Sequence, residues 1–190
     1  MAIPGAIREI FRRRPSGLLG AAFVRVTLAG MPSAGQVADE YHVKAAFLFN
    51  FARFVEWPPT AFRNQRDPFT ICVLGADPFD GALDETVGGK QVGDRAFRIL
   101  RIPEAAQANA CQILFISSSE RKRTAAIIAA LPSVGVLTAG ETDGFAATGG
   151  AINFTMNEGH VRFQVNRRAA ERADLQISSR LLSLAQIVDR

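Results

Sequence analysis

Short apolar runs alternate with helical segments along the middle of the chain, and this rhythm limits the fold more than any other feature. The runs with the length and composition of strands are 69–74, 96–102, 112–116 and 135–137. The segments of helical character that follow three of them are 79–86, 120–131 and 141–147. Strand, turn and helix in this order are typical of βα units, which build a parallel sheet covered by helices.

Toward the C-terminus the pattern changes to a hairpin followed by helices. Residues 151–156 and 160–165 are strand-like and flank a glycine-containing turn, 157–159. Helical segments are predicted at 167–173 and 178–188, and the apolar stripe of the second consists of Leu181, Leu182, Leu184, Ala185 and Val188. We therefore predict an α/β fold: a three-layer sandwich with a mainly parallel central sheet, a C-terminal hairpin and helices on both faces.

An amphipathic helix is predicted ahead of the first strand, from Asp39 to about Val55. The apolar residues that recur on one of its faces are Val43, Phe47, Phe51 and Phe54. Its polar edge is formed mainly by Lys44, Asn50, Arg53 and Glu56. Trp57-Pro58-Pro59 ends the helix, because a residue before proline is disfavoured in the α conformation. So much aromatic surface predicts deep burial or, alternatively, a surface for a partner.

The basic character of the chain belongs to its first 35 residues. The whole chain has 22 basic and 18 acidic residues, a net charge of +4. Residues 1–35 hold five of the basic residues, all arginine, and one acidic residue, Glu9. The other 155 residues therefore hold 17 of each sign and are neutral. A neutral domain gives no support to a protein that binds the phosphate backbone of a nucleic acid.

This basic segment has the organisation of a secretory signal. Positive residues from Arg8 to Arg14 precede an apolar stretch, Leu18–Leu28, and small residues follow up to Gly35. We predict a cleaved signal peptide over 1–35, one domain over 36–190, and a periplasmic location. The twin-arginine route and a mis-assigned start codon with a basic tail remain alternatives, as the sequence does not separate them.

Two cysteines, Cys72 and Cys111, lie in the predicted mature domain. In an oxidising compartment they could form one disulfide, which would close a loop of about 40 residues. Two buried thiols are the alternative, since a free cysteine packs as a small hydrophobic residue. Composition alone leaves both open, and the export signal favours the disulfide.

The motifs of common enzymes and cofactor-binding sites are missing from the sequence. Its histidines, His42 and His160, do not form a zinc motif, and there is no CxxC, GxSxG, P-loop or GxGxxG. We therefore expect neither catalytic residues, nor a metal, nor a cofactor. One turn, Gly75–Pro78, lies at the carboxyl end of a predicted strand, where open α/β sheets bind ligands. An ordinary βα turn is the alternative there.

Several phrases of the sequence resemble the YfiR family of exported bacterial proteins. They are YHVKAAFLFNFARFVEWP (41–58), FTICVLG (69–75), GKQVGDRAFRI (89–99), GGAINF (149–154), HVRFQVN (160–166) and ISSRLLSL (177–184). The resemblance covers about residues 40–188. It implies an α/β sandwich without catalytic residues, a dimer, and a disulfide between Cys72 and Cys111. A second disulfide of that family is not expected, because residues 145–154 contain no cysteine.

The resemblance also implies a function. It predicts a periplasmic regulator that binds the periplasmic part of an inner-membrane diguanylate cyclase and represses it, so that cyclic-di-GMP falls. An outer-membrane lipoprotein is a possible second partner. Physical reasoning adds an apolar docking patch, for which the candidates are Trp57, Phe62, Leu181 and Leu182. The alternative is a periplasmic small-ligand sensor that acts on another membrane signalling protein, with a pocket near Gly75–Pro78 or beside the hairpin.

Overall fold

The computed structural model describes residues 34–132 and 134–188. The predicted signal peptide therefore lies outside the described residues, except for its last two positions. All described residues belong to one compact unit, Pro32–Arg190.

Five helices and ten strands are found in the described part of the chain. The helices are α1 (Ala34–Phe54), α2 (Ala82–Val87), α3 (Thr124–Ala129), α4 (Arg167–Arg172) and α5 (Ser179–Leu182). The strands are β1 (Val55–Glu56), β2 (Phe69–Leu74), β3 (Gln91–Val92), β4 (Arg95–Ile102), β5 (Ile113–Ile116), β6 (Leu137–Gly140), β7 (Ile152–Asn157), β8 (His160–Val165), β9 (Gln176–Ile177) and β10 (Gln186–Ile187).

Eight strands form one sheet in the order β10-β8-β7-β6-β5-β2-β4-β3. The central strands β4, β2, β5, β6 and β7 are parallel, whereas β3 and β8 join antiparallel. The chain passes from β2 to β4 on one side and then to β5 on the other, so the order reverses between β2 and β5. Strands β1 and β9 form a separate antiparallel ribbon. The predicted α/β sandwich with a mainly parallel sheet is confirmed.

Both faces of the sheet are buried. Side chains alternate along a strand, so Ile71 and Val73 of β2 face one hydrophobic cluster and Cys72 and Leu74 face the other. The first cluster is covered by α1, α2, α4 and α5, and the second by α3 and the turns around Ala108 and Phe145. Continuous apolar strands such as FTICVL are the sequence signature of this arrangement.

The hairpin β7–β8 is confirmed and turns through two residues. Glu158 (φ 51°) and Gly159 (φ 77°) both have left-handed backbones. This pair of conformations gives a two-residue turn that matches the twist of the flanking strands.

The end of the chain differs from its prediction. The segment 178–188 is not one helix, because α5 ends at Leu182 and β10 then pairs in parallel with the edge of β8. Leu184, assigned above to an apolar stripe, is 68% exposed. Covering the open edge of β8 satisfies backbone groups that a longer helix would leave bare.

Three other bounds also change. The strand predicted at 135–137 is β6, two residues later, and 141–147 forms turns rather than a helix. Helix α1 begins at Ala34, five residues before Asp39, and Val43 on its predicted apolar face is exposed. The buried stripe is rotated toward Ala45, Leu48 and Ala52.

The structure joins Cys72 to Cys111 in a disulfide, which decides between the bridge and two free thiols. Their Cα atoms are 5.8 Å apart, and both residues are almost fully buried. The bridge ties β2 to the residue that precedes Gln112 at the entrance to β5. The closed loop contains β3 and β4, together with the segment in which the chain returns from β4 past β2 toward β5.

Replacing Cys72 by alanine should lower the free energy of unfolding by about 4 kcal/mol, because the crosslink spans 39 residues and restricts the unfolded chain. Urea denaturation measures the change. The Cys72→Ala/Cys111→Ala protein is the control, and it should lose a similar amount because one substitution already removes the crosslink. A loss below about 1 kcal/mol would show that the bridge does not constrain the unfolded chain.

Candidate functional site

Two of the predicted docking residues, Trp57 and Phe62, come together at the amino-terminal edge of the parallel strands. Both rings pack against Phe69, the first residue of β2, with centroid distances of 4.9 and 6.3 Å. The Arg95 guanidinium lies 3.8 Å from the centre of the Phe62 ring. Trp57 and Phe62 are each half-buried and therefore keep an exposed part. We call Trp57, Phe62, Phe69 and Arg95 the aromatic corner.

A buried glutamine holds the aromatic corner in place. The side-chain amide of Gln112 donates to the Ala61 carbonyl (2.7 Å) and its oxygen accepts from the Thr70 amide (2.8 Å). The backbone carbonyl of Gln112 accepts from the Trp57 indole, at 3.2 Å. This role of Gln112 was not predicted from the sequence, where the residue forms the start of an apolar strand. A polar residue at the head of an otherwise apolar run was the available signal.

The other two candidates occupy different environments. Leu181 is 3% exposed and packs in the core, whereas Leu182 is half-buried. Leu182 lines a shallow groove of about 240 Å³ together with Leu175 and Ile177. Ile177 pairs with Val55, two residues before Trp57. The ribbon β1–β9 therefore links this groove to the aromatic corner.

A buried ionic cluster lies at the opposite, carboxyl-terminal edge of the sheet. The Lys44 ammonium is 2.5 Å from Glu40 Oε1 and 2.6 Å from Glu141 Oε2. The Tyr41 hydroxyl donates to Glu141 at 3.2 Å, and the backbone N–H of Ser118 donates to its other oxygen at 3.3 Å. We call Glu40, Tyr41, Lys44 and Glu141 the ionic cluster.

Burial of Lys44 overturns its prediction as a residue of the polar edge of α1. Its side chain is 4% exposed and that of Glu141 is 7% exposed. The lysine tolerates burial because two carboxylates surround it, and because its ammonium lies 4.4 Å from the centre of the Tyr41 ring. Burial, and then the nearby charge of Glu141, raise the pKa of Tyr41.

The strand-end turn considered above, Gly75–Pro78, packs closely against the next loop. Gly75 has φ 92°, and a Cβ at this position would lie 2.4 Å from the Ser119 hydroxyl oxygen. That oxygen accepts a hydrogen bond from the Ala76 amide, at 3.0 Å. Ser119 therefore fills the space beside Gly75, next to the point where the strand order reverses.

Beside the hairpin, α1 and β7–β8 enclose an open groove of about 500 Å³. Its apolar lining is Val43, Phe47, Met156 and Val161, and its rim includes Asp39, Glu40, His160 and Arg162. A second hollow of about 530 Å³ adjoins it, shares Glu40 and Met156, and contains the ionic cluster together with Asp143. We call the two together the hairpin groove.

The two histidines, His42 and His160, lie in surroundings that form neither a catalytic nor a metal-binding arrangement. His42 is an exposed residue on α1, with Nε2 3.7 Å from Glu85, and His160 lies at the groove rim. Within residues 34–132 and 134–188, no group of three histidine, cysteine or acidic side chains is placed to hold a metal. In the same ranges no helix is long and apolar enough to cross a membrane.

Comparison with known proteins identifies a family for most of the chain. The family model described as YfiR/HmsC-like matches residues 41–186. The curated proteins contain no match. A solved structure, the ABC domain in complex with L-Trp from Streptococcus pneumonia, has a TM-score of 0.54 at 9% identity. That match covers 76% of this chain and 60% of the other, and at this identity it shows a shared fold alone.

Replacing Lys44 by methionine should lower the free energy of unfolding by about 3–5 kcal/mol, because Glu141 would be left buried without its cation. Urea denaturation at neutral pH measures the loss. The Lys44→Met/Glu141→Gln protein is the matched control and should regain part of the stability, since it no longer buries an unpaired charge. Equal stability of the single and double variants would contradict this account of the ionic cluster.

Tyr41 is the only tyrosine of the chain, so tyrosinate absorbance reports on this group alone. In the folded protein its ionisation should occur well above pH 10, and in urea it should return to about pH 10. The unfolded chain therefore loses the proton first, and stability should fall as the pH rises above about 10. The Tyr41→Phe protein should lack the part of this pH dependence that is due to ionisation of Tyr41. Ionisation of folded Tyr41 near pH 10 would refute the prediction.

Proposed function

This chain belongs to the YfiR/HmsC-like family, and we propose that it represses an inner-membrane diguanylate cyclase by direct contact. Membership of the family implies a periplasmic, non-catalytic regulator of cyclic-di-GMP signalling that interacts with a membrane signalling protein. In the proposal, residues 1–35 are the signal peptide and residues 36–190 form the regulatory domain. Binding to the periplasmic part of the cyclase lowers cyclic-di-GMP.

The aromatic corner is the observation that carries the contact step. Tryptophan, tyrosine and arginine are the residues most often found at the energetic centres of protein interfaces. Trp57 and Arg95 are both present here, and Trp57, Phe62 and Arg95 are each partly exposed. The hydrogen bond from Trp57 to Gln112 fixes the indole before a partner arrives, which reduces the entropy lost on binding.

Leu182 extends this docking surface. Its groove is joined to the aromatic corner through β1 and β9, so a partner segment of modest size would reach both. Leu181, which is buried, would support Leu182 from beneath rather than touch the partner. With a neutral mature domain, we expect apolar burial to dominate over electrostatic steering. An outer-membrane lipoprotein that competes for the same surface, and a homodimer, belong to the proposal as further partners.

A second candidate function is a periplasmic sensor of a small ligand acting on another membrane signalling protein. The hairpin groove is the observation that favours it, since it lies beside the hairpin and has the volume of a small-molecule site, about 300–1,000 Å³.

Deleting the gene should raise cellular cyclic-di-GMP several-fold, and the wild-type gene should restore the original level. A Leu182→Ser gene should restore it poorly, because the docking surface loses part of its apolar area. Leu184→Ser is the matched control: the same change two residues away, at a leucine that is 68% exposed. Unfolding midpoints of both purified variants separate loss of contact from loss of folding.

Two outcomes would contradict different parts of the proposal. If the gene is expressed and its deletion leaves cyclic-di-GMP unchanged, the proposal that the protein represses a diguanylate cyclase is wrong. Full repression by folded Leu182→Ser and Trp57→Gln proteins would be compatible with the proposed function but would contradict the proposed docking surface. Capture of the cyclase from membranes by the wild-type protein, weakened by Leu182→Ser and retained by Leu184→Ser, supports both.

A further inference from the structure

The hairpin groove is a solvent-facing continuation of the aromatic core. Phe47 packs against Phe163 with its ring centre 5.2 Å away, and it also lines the groove. Met156 and Val161 are opposite each other on β7 and β8 and form the adjoining part of the lining. Met156 is 50% exposed and Val43, on the facing helix, is 43% exposed. Two large apolar side chains thus face solvent in one concavity, and a concave, partly apolar lining is a property of small-molecule sites.

The charges that line this concavity do not balance. Lys44 carries one positive charge between two carboxylates, Glu40 and Glu141, so the ionic cluster has an excess of one negative charge. Asp143 lines the same hollow and adds another. At the outer rim Asp39 and Arg162 offset each other. The lining as a whole is therefore negative by two charges, although the predicted mature domain is neutral.

We propose that the hairpin groove binds an organic cation, a primary ammonium carried on an aromatic or alkyl body. The apolar body lies against Val43, Phe47 and Met156, and the ammonium faces Glu40 and Asp143. Charge complementarity selects this chemistry, because an anion would be repelled and a neutral ligand would leave the excess negative charge uncompensated. The inference is independent of the cyclase, since the groove lies at the opposite edge of the parallel strands from the aromatic corner.

The sequence offers a separate reporter for each of these two regions. Met1, Met31 and Met156 are the methionines of the chain, and the first two lie in the predicted signal peptide. Protein exported to the periplasm and labelled at the methionine methyl group therefore reports on the groove through Met156. Trp57 is the only tryptophan, so its fluorescence reports on the aromatic corner.

Titration with 2-phenylethylammonium should shift the Met156 methyl resonance saturably, with a dissociation constant of roughly 0.1–1 mM for a ligand of this size. Phenylacetate carries the same ring with a negative charge, and 2-phenylethanol carries it with no charge. Each should bind at least fivefold more weakly, because neither can form the exposed ion pair, whose free energy corresponds to about a fivefold change in affinity. Affinity for the ammonium compound should fall as salt is added.

Asp143→Asn should weaken binding of 2-phenylethylammonium about fivefold, because it removes one exposed carboxylate without changing shape. Asp94→Asn, the same change at the opposite edge of the strands, should leave the dissociation constant unchanged. Met156→Gln should make the heat-capacity change on binding less negative, because less apolar surface is buried. Calorimetric titration measures this change.

Three results would overturn the proposal: equal affinity for the alcohol, equal effects of Asp143→Asn and Asp94→Asn, or a response of Trp57 without one of Met156. A methyl resonance that shifts with protein concentration but not with the amine would also overturn it, and would identify a second copy of the chain as the occupant.

Discussion

Burial of one face of α1 against the hairpin β7–β8 holds the two ends of the domain together. Phe51 is fully buried and lies within 6 Å of both Phe154 and Phe163, which are more than 100 residues away in sequence. Leu48 and Ala52 of the same helix belong to the buried cluster that also contains Ile71 of β2 and Ile113 of β5. Without this contact the hairpin would expose its aromatic face and the sheet would lose one of its two layers. The hairpin groove and the aromatic corner both border this helix.

Apolar packing alone would not fix how α1 lies on the sheet, because hydrophobic contact has little directional preference. The ionic cluster supplies the direction. Lys44 pairs with Glu40 within α1, but it reaches Glu141 only when this part of the helix crosses the ends of β5 and β6, where Ser118 and Glu141 follow the strands. A shift of one residue would bury a charge without its partner, at a cost of several kcal/mol. The ionic cluster thus determines the position of α1 on the sheet more than it adds to the stability of the fold.

The sheet was largely predictable from the sequence because its strands are continuous apolar runs bounded by turn residues, as FTICVL is. The hairpin was predictable from Glu158-Gly159 for the same local reason. Lys44 was not, since its fate depends on a glutamate 97 residues away. Neither was β10, because only the exposed edge of β8 makes an extended conformation favourable for Gln186. Local sequence patterns predict the helices and strands, but they do not predict polar contacts between residues that are far apart in the chain.

For the docking candidates the same limit applies. Helical periodicity placed Leu181, Leu182 and Leu184 on one stripe, yet the early end of α5 gives each a different exposure. Trp57 and Phe62 meet because Phe69 lies beneath both, a contact that spacing along the chain does not encode.

Helix α1 contains neither glycine nor proline between Gln36 and Phe54, and its backbone is continuous over that length. From Lys44 to Phe54 it advances about 15 Å along its axis. One end borders the hairpin groove, and the other leads directly through β1 to Trp57. Because the same unbroken helix borders both regions, the hairpin groove and the start of the segment that leads to Trp57 lie on one rigid element of the fold.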